Sequence, residues 1–211
     1  MTGTGGETTD RVVHVVDDDP AIRDSLVWLF EARGHVVRTW DSGEAFLDGY
    51  EAGWRGCVLL DLRMGGLSGL DVLDRLEAQG ASLPVIVLTG HGDVPLAVQS
   101  LKKGAVDFVE KPFDGGELVS KVQDALALET RRHSEAAAAR AVAKRLDSLS
   151  GREREVMELM LRGLLNKQIA EEMGIAIRTV EVHRAHVLEK FGVRSAVELA
   201  GRLADLKRPP R

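Results

Sequence analysis

The stretch RVVHVVDDDP, residues 11–20, places an apolar run directly before three adjacent carboxylates and a proline. The run is short and rich in β-branched residues, which is typical of a buried strand. Asp17, Asp18 and Asp19 repel one another, so a bound cation, a helix N-terminus or solvent must compensate for their charge. An Asp directly before a Pro is a preferred helix N-cap, and we therefore expect Asp19 and Pro20 to begin a helix.

Four further runs of the same kind follow along the front part of the chain. They read HVVRTW, GCVLL, LPVIVL and AVDFV, and segments with helical periodicity separate them. Near-continuous apolar strands that alternate with helices indicate a parallel sheet covered on both faces. The pattern therefore predicts a doubly wound, five-stranded α/β domain, whose functional groups gather at the carboxyl ends of the strands.

Polar residues stand at these predicted strand ends. Asp17 and Asp18 follow the first strand, Asp61 ends the third, Thr89 ends the fourth, and Lys111 follows the fifth. Three carboxylates from two strands offer the hard oxygen ligands that suit Mg²⁺, an ion that keeps several waters and accepts a phosphate. We therefore expect a magnesium site at this edge, where the ion offsets the repulsion among the carboxylates.

These five residues resemble, in order and spacing, the signature of the receiver domain of two-component response regulators. The aromatic residue of that family is Phe108 in DFVEKPF, and the resemblance covers residues 10–128. It implies a flavodoxin-like receiver in which Asp61 accepts a phosphoryl group from a sensor histidine kinase. Thr89 and Lys111 would contact that group, and Thr89 and Phe108 would form the switch.

The resemblance also implies the metal ligands, and one residue of the family pattern is missing. Asp17, Asp18, Asp61 and the backbone carbonyl of Arg63 would hold the ion. The following loop reads DLRMGGLSG, with Gly65 where the family usually has Pro. Because glycine has far more backbone freedom than proline, we expect the Arg63 carbonyl to be less rigidly held. This leaves the metal affinity and the phosphoryl lifetime open.

The charge of the chain changes along its length. Residues 1–130 carry a net charge of −11, residues 131–145 of +4 and residues 146–211 of +2. An acidic front part and a mildly basic tail predict two units with different partners. Residues 129–147 contain no Gly or Pro and have high helix propensity. This linker is either a helix that continues the last receiver helix or a flexible tether.

Residues 148–208 predict a small all-α domain of four short helices. The string LSGREREVMELMLRGLLNKQIAEEMGIAIRTVEVHRAHVLEKFGV is similar throughout to the DNA-binding domains of the LuxR/FixJ class. Gly151 and Leu165 depart from the usual residues, but both lie outside the recognition helix. Glycines separate the helices, as expected at helix ends. The predicted helices are about 151–162, 166–173, 177–190 and 195–206.

The third of these helices would lie in the major groove of double-stranded promoter DNA. By position, Glu181, Val182 and Ala185 face base edges. His183 and His186 stand three residues apart, so a metal pair is an alternative to a packing or phosphate role. Glu153 is expected on a solvated face. The full set of predicted DNA contacts is Lys167, Arg178, Thr179, Glu181, Val182, His183, Arg184, Ala185 and Lys190.

The implied partners are a sensor histidine kinase, promoter DNA, a second copy of the chain on phosphorylation, and RNA polymerase as a further candidate. Phosphorylation would control either dimerisation or release of the DNA-binding domain. We identify no secretory signal and no apolar run long enough to span a membrane, and we expect a cytoplasmic protein without a membrane partner. The single cysteine, Cys57, excludes an internal disulfide and is expected to be buried. We expect a regulator and not an enzyme.

Two alternatives are weighed against this interpretation. DDDPA contains Asp17-x-Asp19, which begins the signature of haloacid-dehalogenase-type phosphatases. That signature requires Thr or Val where Ala21 stands, and it leaves Asp61 without a role. The second alternative is a phosphorylation-independent DNA-binding protein with a vestigial receiver. Its weakness is that all the receiver residues are intact.

Overall fold

The structure is a computed structural model that describes residues 11–90 and 93–205. The chain divides into two compact units, Met1–Arg131 and Arg132–Arg211. In the described part of the first unit, a five-stranded parallel sheet has the order β2-β1-β3-β4-β5. The strands are β1 Val12–Val16, β2 Val36–Trp40, β3 Gly56–Asp61, β4 Val85–Thr89 and β5 Asp107–Glu110.

Helices cover both faces of the sheet. One core joins the sheet to α1 and α5 through side chains such as Phe30 and Leu118, and the other joins it to α2 and α3 through Phe46 and Val72. This confirms the predicted doubly wound α/β fold. The helices are α1 Pro20–Glu31, α2 Gly43–Gly49, α3 Gly69–Ala78, α4 Val94–Lys102 and α5 Gly115–Asp147.

Two helix features bear on the sequence predictions. Asp19 is the N-cap of α1, where its Oδ1 accepts a hydrogen bond from the Ala21 amide at 2.8 Å, so the expected cap is confirmed. Residues 129–147 all belong to α5, which is helical from Gly115 to Asp147. Within the first unit, Arg55 forms a partly buried ion pair with Glu129 of this helix, with 3.1 Å between Nη2 and Oε2.

Besides the C-terminal part of α5, the described part of the second unit contains four helices, in agreement with the predicted all-α fold. Its core includes Val156, Ile169, Val180 and Phe191, all fully buried. Gly174 ends the second of these helices with φ +65°, a left-handed conformation that few other residues adopt. The helices are α6 Gly151–Leu161, α7 Asn166–Met173, α8 Ile177–Phe191 and α9 Ala196–Asp205. Throughout the residues described, none of the helices has the length and apolar character needed to cross a bilayer.

Candidate functional site

Three carboxylates meet at the carboxyl ends of β1 and β3. These strands are neighbours, with Val16 paired to Leu60, so the residues that follow, Asp17 and Asp61, come side by side. Asp17 is fully buried, Asp61 is 7% exposed, and Asp18 faces solvent. One oxygen from each lies within 4.8 Å of the others. Strand order reverses between β1 and β3, which is where ligands bind in open α/β sheets.

An ammonium group joins two of these carboxylates. Lys111 follows β5, and its Nζ lies 2.7 Å from Oδ2 of Asp17 and 3.0 Å from Oδ2 of Asp61. Its backbone N–H donates to the Thr89 carbonyl oxygen at 2.7 Å, which fixes the residue against the end of β4. Lys111 is thus a cation supplied by the chain itself, and it offsets part of the repulsion inherent in the acidic run.

Burial and charge shift the pKa values of Asp61 and Lys111 in opposite directions. Burial raises the pKa of Asp61, and the hydrogen bond and charge of Lys111 only partly oppose the shift. Burial alone would lower the pKa of Lys111, but its hydrogen bonds to Asp17 and Asp61 raise the pKa above its ordinary value. Lys111 therefore stays cationic beside the carboxylates, and Asp61 is more basic than an exposed aspartate.

The three carboxylates could hold a metal ion. Oδ1 of Asp17 accepts the Asp19 amide at 2.9 Å, Oδ1 of Asp61 accepts the Arg63 amide at 3.3 Å, and Oδ2 of Asp18 accepts the Gly65 amide at 3.1 Å. Each carboxylate oxygen has more than one acceptor site, so these bonds orient the groups without exhausting them. A cluster of oriented, hard oxygen donors fits a divalent cation of the Mg²⁺ type.

Hydrogen bonds to side chains hold the loop after Asp61 in place. Besides the bond from Gly65 to Asp18, the Leu67 amide donates to Oε1 of Glu44 at 2.8 Å. Gly66 has φ +85°, and a Cβ there would lie 2.5 Å from the same Glu44 oxygen. The positive φ strains any other residue at position 66, and a Cβ there would also require the Glu44 side chain to move. Gly65 and Leu67, in the loop that follows Arg63, are therefore anchored through their backbone N–H groups. The expectation for the Arg63 carbonyl itself stays a prediction.

The predicted switch residues lie close to this site. Thr89 ends β4, is almost fully buried, and donates its hydroxyl proton to the Gly90 carbonyl oxygen at 3.1 Å. Phe108 is half-buried and packs against the core on the α2 and α3 face of the sheet. The Thr89 hydroxyl is therefore bonded to the backbone of the next residue and not to Asp61.

An ion pair that the sequence did not predict links the loop after Asp61 to α4. The Arg63 guanidinium donates twice to Asp93, with 2.6 Å between Nε and Oδ2 and a second bond from Nη2 to Oδ1. Asp93 is the N-cap residue of α4, but it makes no side-chain capping bond. Nothing in the spacing of the two residues indicates this contact.

The predicted DNA-contacting residues differ in their exposure and in their contacts within the domain. Most are exposed on α7 and α8, while His183 and Arg184 are half-buried. Lys190 has another role, because its Nζ donates to Oε2 of Glu153 at 2.6 Å and to the Ser148 carbonyl oxygen at 2.8 Å. The exposed side chains are Lys167, Arg178, Thr179, Glu181, Val182 and Ala185.

Glu153 was expected on a solvated face, and this prediction is wrong. The residue is 6% exposed and forms a capping box with Ser150 at the start of α6. The spacing Ser-x-x-Glu before an apolar run is the sequence signal that could have indicated this role. His186 lies near the same carboxylate, with 3.5 Å between Nδ1 and Oε1. Among the described residues, these groups form no cluster of three metal-ligating side chains with His183.

Comparison with known proteins identifies the family. A model of the response regulator receiver domain matches residues 13–123, which is more than half of the chain. The chain belongs to the response regulator family. A second model, bacterial regulatory proteins of the luxR family, matches residues 147–203 of this response regulator. It is therefore a two-component response regulator with a receiver domain and a DNA-binding, helix-turn-helix domain, and it acts in transcription regulation.

Relatives align with this response regulator over nearly its whole length. The C4-dicarboxylate transport transcriptional regulatory protein DctR of Rhodobacter capsulatus is 55% identical over 190 residues, covering 89% of this chain and 96% of DctR. The transcriptional regulatory protein FixJ of Azorhizobium caulinodans is 48% identical over 187 residues, covering 89% of each chain.

Solved structures show the same family. The response regulator StyR has 37% sequence identity and a TM-score of 0.87, over 92% of this chain and 98% of StyR. Full-length FixJ from B. japonicum has 44% identity and a TM-score of 0.60, over 94% and 98%. The phosphatase alternative gains no support, because the two matching family models are those of a response regulator receiver and of luxR-family regulatory proteins.

Proposed function

We propose that Asp61 of this response regulator accepts a phosphoryl group from a sensor histidine kinase, and that the phosphorylated receiver domain controls DNA binding by the second domain. The observation that carries the proposal is the contact of Lys111 Nζ with both Asp17 and Asp61 at the switch point of the sheet. This arrangement supplies positive charge beside a basic, partly desolvated carboxylate. We propose domain limits of 10–128 and 148–208, with residues 129–147 as a helical linker.

The transfer step needs positioning and charge neutralisation more than covalent help. An oxygen of Asp61 forms the new bond to phosphorus as the bond between phosphorus and the kinase histidine nitrogen breaks. Lys111 lies close enough to Asp61 to pair with the phosphoryl oxygens as their charge concentrates there. Its second contact, with the buried carboxylate of Asp17, holds the ammonium in position during the transfer.

We propose that Mg²⁺ is the ion of the acidic cluster. Asp17, Asp18, Asp61 and the backbone carbonyl of Arg63 would hold it. When bound, the ion neutralises charge on the phosphoryl oxygens. The hydrogen bonds that Asp17, Asp18 and Asp61 accept from backbone amides orient the carboxylates before any ligand arrives.

Thr89 and Phe108 form the proposed switch. Phosphorylation adds about 1.5 to 2 negative charges beside the end of β4. The Thr89 hydroxyl, which now donates to the Gly90 carbonyl, gains a stronger acceptor if it rotates toward the new anion. Phe108 lies on the neighbouring strand, paired with Val87, and its half-buried ring can repack when Thr89 moves.

DNA recognition is assigned to the exposed face of α8 and the start of α7. Glu181 can accept from a cytosine amino group, and Val182 can contact a thymine methyl group. Ala185 faces the same groove, and His183 and Arg184 flank it as half-buried residues. Phosphate contacts are assigned to Lys167, Arg178, Thr179 and Arg184. Lys190 is omitted because its ammonium is bonded within the domain.

We further propose that phosphorylation produces a dimer and that the DNA-bound protein contacts RNA polymerase. The support for dimerisation is electrostatic, since residues 146–211 carry a net charge of only +2. Nonspecific attraction to DNA phosphates grows with the number of cationic contacts, so one such domain gains little affinity alone. Two domains on one operator add their contacts and require half-sites about 10 base pairs apart.

The test of the phosphoacceptor uses a small phosphodonor, such as acetyl phosphate, with Mg²⁺. We expect one phosphoryl group per chain on Asp61, no labelling of Asp61→Asn, and normal labelling of Asp24→Asn, a control at an exposed aspartate of α1. Mass spectrometry of intact protein counts the groups. Undiminished labelling of Asp61→Asn, or labelling without a divalent ion, contradicts the proposal. Multiple turnover of a phosphomonoester would revive the phosphatase alternative.

A further inference from the structure

We propose that the backbone N–H of Gly65 positions Asp18 for metal binding and replaces, by a hydrogen bond, the stiffness that a proline would give the loop. This inference rests on the proposed metal site. The Gly65 nitrogen lies 3.1 Å from Oδ2 of Asp18, across 47 residues of sequence. The bond joins the loop after the phosphoacceptor to the acidic run after β1.

The orientation of the Asp18 carboxylate depends on this bond more than the orientation of Asp17 depends on any one of its own hydrogen bonds. Asp17 is buried and receives both the Asp19 amide and the Lys111 ammonium, so its carboxylate is fixed from two sides. Asp18 is exposed, and within residues 11–90 and 93–205 the Gly65 amide is its one hydrogen-bond donor. With Oδ2 held by Gly65, the carboxylate has a defined orientation and Oδ1 is left to serve as a ligand atom.

Position 65 needs an N–H group but does not need the small size of glycine. A Cβ at this position would meet no heavy atom within 4 Å, and the residue lies outside the left-handed region. Gly66, in contrast, has φ +85°, a conformation that strains residues other than glycine, and a Cβ there would displace the Glu44 carboxylate. Alanine at position 65 would keep the donor, and proline would remove it because proline has no backbone N–H. The two substitutions therefore separate the hydrogen bond from the flexibility of glycine.

Replacing Gly65 with proline has two opposing effects on Mg²⁺ affinity, and their sizes decide which one dominates. Partners that orient metal-binding side chains typically change metal affinity by about 10- to 100-fold when they are lost. Proline would stiffen the loop in the unbound chain, and this gain is worth about fivefold at most. The lost hydrogen bond outweighs the gained stiffness. We therefore expect Mg²⁺ to bind the Gly65→Pro protein about tenfold more weakly than the Gly65→Ala protein.

The experiment is a Mg²⁺ titration of the full-length protein by calorimetry and by amide chemical shifts. Gly65→Ala should bind within about twofold of wild type, Gly65→Pro about tenfold more weakly, and Asp18→Ala more weakly than wild type. Equal affinities for the alanine and proline proteins would overturn the inference. Absence of Mg²⁺ binding by wild type, or equal binding by Asp18→Ala, would instead overturn the proposed metal site.

A second measurement needs no proline variant and no metal. Hydrogen exchange of the Gly65 amide is compared between wild type and Asp18→Ala without Mg²⁺, with the Leu67 amide, which is bonded to Glu44, as internal control. Removal of the acceptor should speed exchange at Gly65 and leave Leu67 unchanged. Unchanged exchange at Gly65 would show that the amide does not bond to Asp18, and the inference would be wrong.

Discussion

The ammonium of Lys190 donates a hydrogen bond to the carboxylate of Glu153, with 2.6 Å between Nζ and Oε2, and joins the end of α8 to the first turn of α6. The same carboxylate oxygen accepts the Ser150 amide at 2.8 Å. Lys190 first, and then the Ser150 amide, lower the pKa of Glu153 from 4.5 to about 2. Two residues expected to face DNA and solvent instead hold the helices of the second unit together.

This pair predicts how the stability of the second unit depends on pH. A lowered pKa in the folded state means that Glu153 stabilises the fold fully above pH 4.5 and loses this contribution as the pH falls toward 2. Glu153→Gln should cost about 1 kcal/mol at neutral pH, as expected for a lost helix cap. Hydrogen exchange of the α6 amides measures the loss. Glu158→Gln, an exposed control on α6, should show protection like wild type.

Alanine substitutions of Lys167 and Lys190 should have different effects on DNA binding. Lys167 is exposed at the start of α7, so Lys167→Ala should weaken binding to all sequences about equally and reduce the salt slope by roughly 0.9. Lys190→Ala should leave the slope unchanged, because that ammonium is already paired within the domain. Filter-binding titrations across a salt series distinguish them. A change of sequence preference in Lys167→Ala would contradict our placement of α7.

Glu181 should act on sequence preference and not on overall attraction. Glu181→Ala should relax preference at a single base pair, with about 1 to 3 kcal/mol of discrimination lost there. Selection of bound sequences from a random pool measures this. Glu171→Ala, an exposed control on α7, should leave every position unchanged. Broad loss of preference across the site in Glu181→Ala would mean that the residue shapes α8 and does not contact a base.

Asp18 and Asp19 are adjacent, but their substitution by alanine should change different properties: Mg²⁺ affinity for Asp18 and stability for Asp19. Asp18→Ala should weaken Mg²⁺ binding, because its carboxylate belongs to the acidic cluster. Asp19→Ala should leave Mg²⁺ affinity nearly unchanged but cost about 1 kcal/mol of stability, because Asp19 caps α1. Calorimetric Mg²⁺ titration and urea unfolding of both proteins measure the two effects. Equal losses of affinity would contradict this division of roles.

Phosphorylation of the full-length protein should increase both its assembly and its affinity for DNA. Coupling between sites is typically about 1 to 3 kcal/mol, a 5- to 150-fold change in affinity. Sedimentation and operator titration, each with and without phosphodonor, measure the two effects, with Asp61→Asn as control. Binding that ignores phosphorylation would favour the vestigial-receiver alternative. Tight DNA binding by a phosphorylated monomer would contradict the dimer proposal but not the proposal that phosphorylation controls DNA binding.

The sequence predicted those features that depend on neighbouring residues. The strands, the cap at Asp19 and the turn at Gly174 follow from local patterns, and their positions match the structure closely. The convergence of Asp17, Asp61 and Lys111 was also predictable, because parallel strands place their carboxyl ends at one edge. Each of these features needs only a strand or helix assignment to be located.

Contacts between distant segments could not be predicted in this way. Lys190 is far from Glu153 in sequence, and its helical position alone does not show whether its long side chain reaches DNA or another helix. The Gly65 bond to Asp18 uses a backbone N–H that almost every residue type possesses. Its residue type therefore carries no signal of the contact, and the position is unusual in the sequence because glycine stands where the family usually has proline.

The Arg63 contact with Asp93 has a consequence for α4. Asp93 occupies the position from which an aspartate ordinarily completes the start of a helix, as Asp19 does for α1, yet its oxygens bond to a guanidinium two residues beyond Asp61. Both oxygens of Asp93 face the guanidinium, and neither accepts a hydrogen bond from the first turn of α4. The carboxylate that would ordinarily cap α4 is instead bonded to the loop after Asp61. We expect that a new negative charge near Asp61 that draws Arg63 away would free Asp93 to cap the helix.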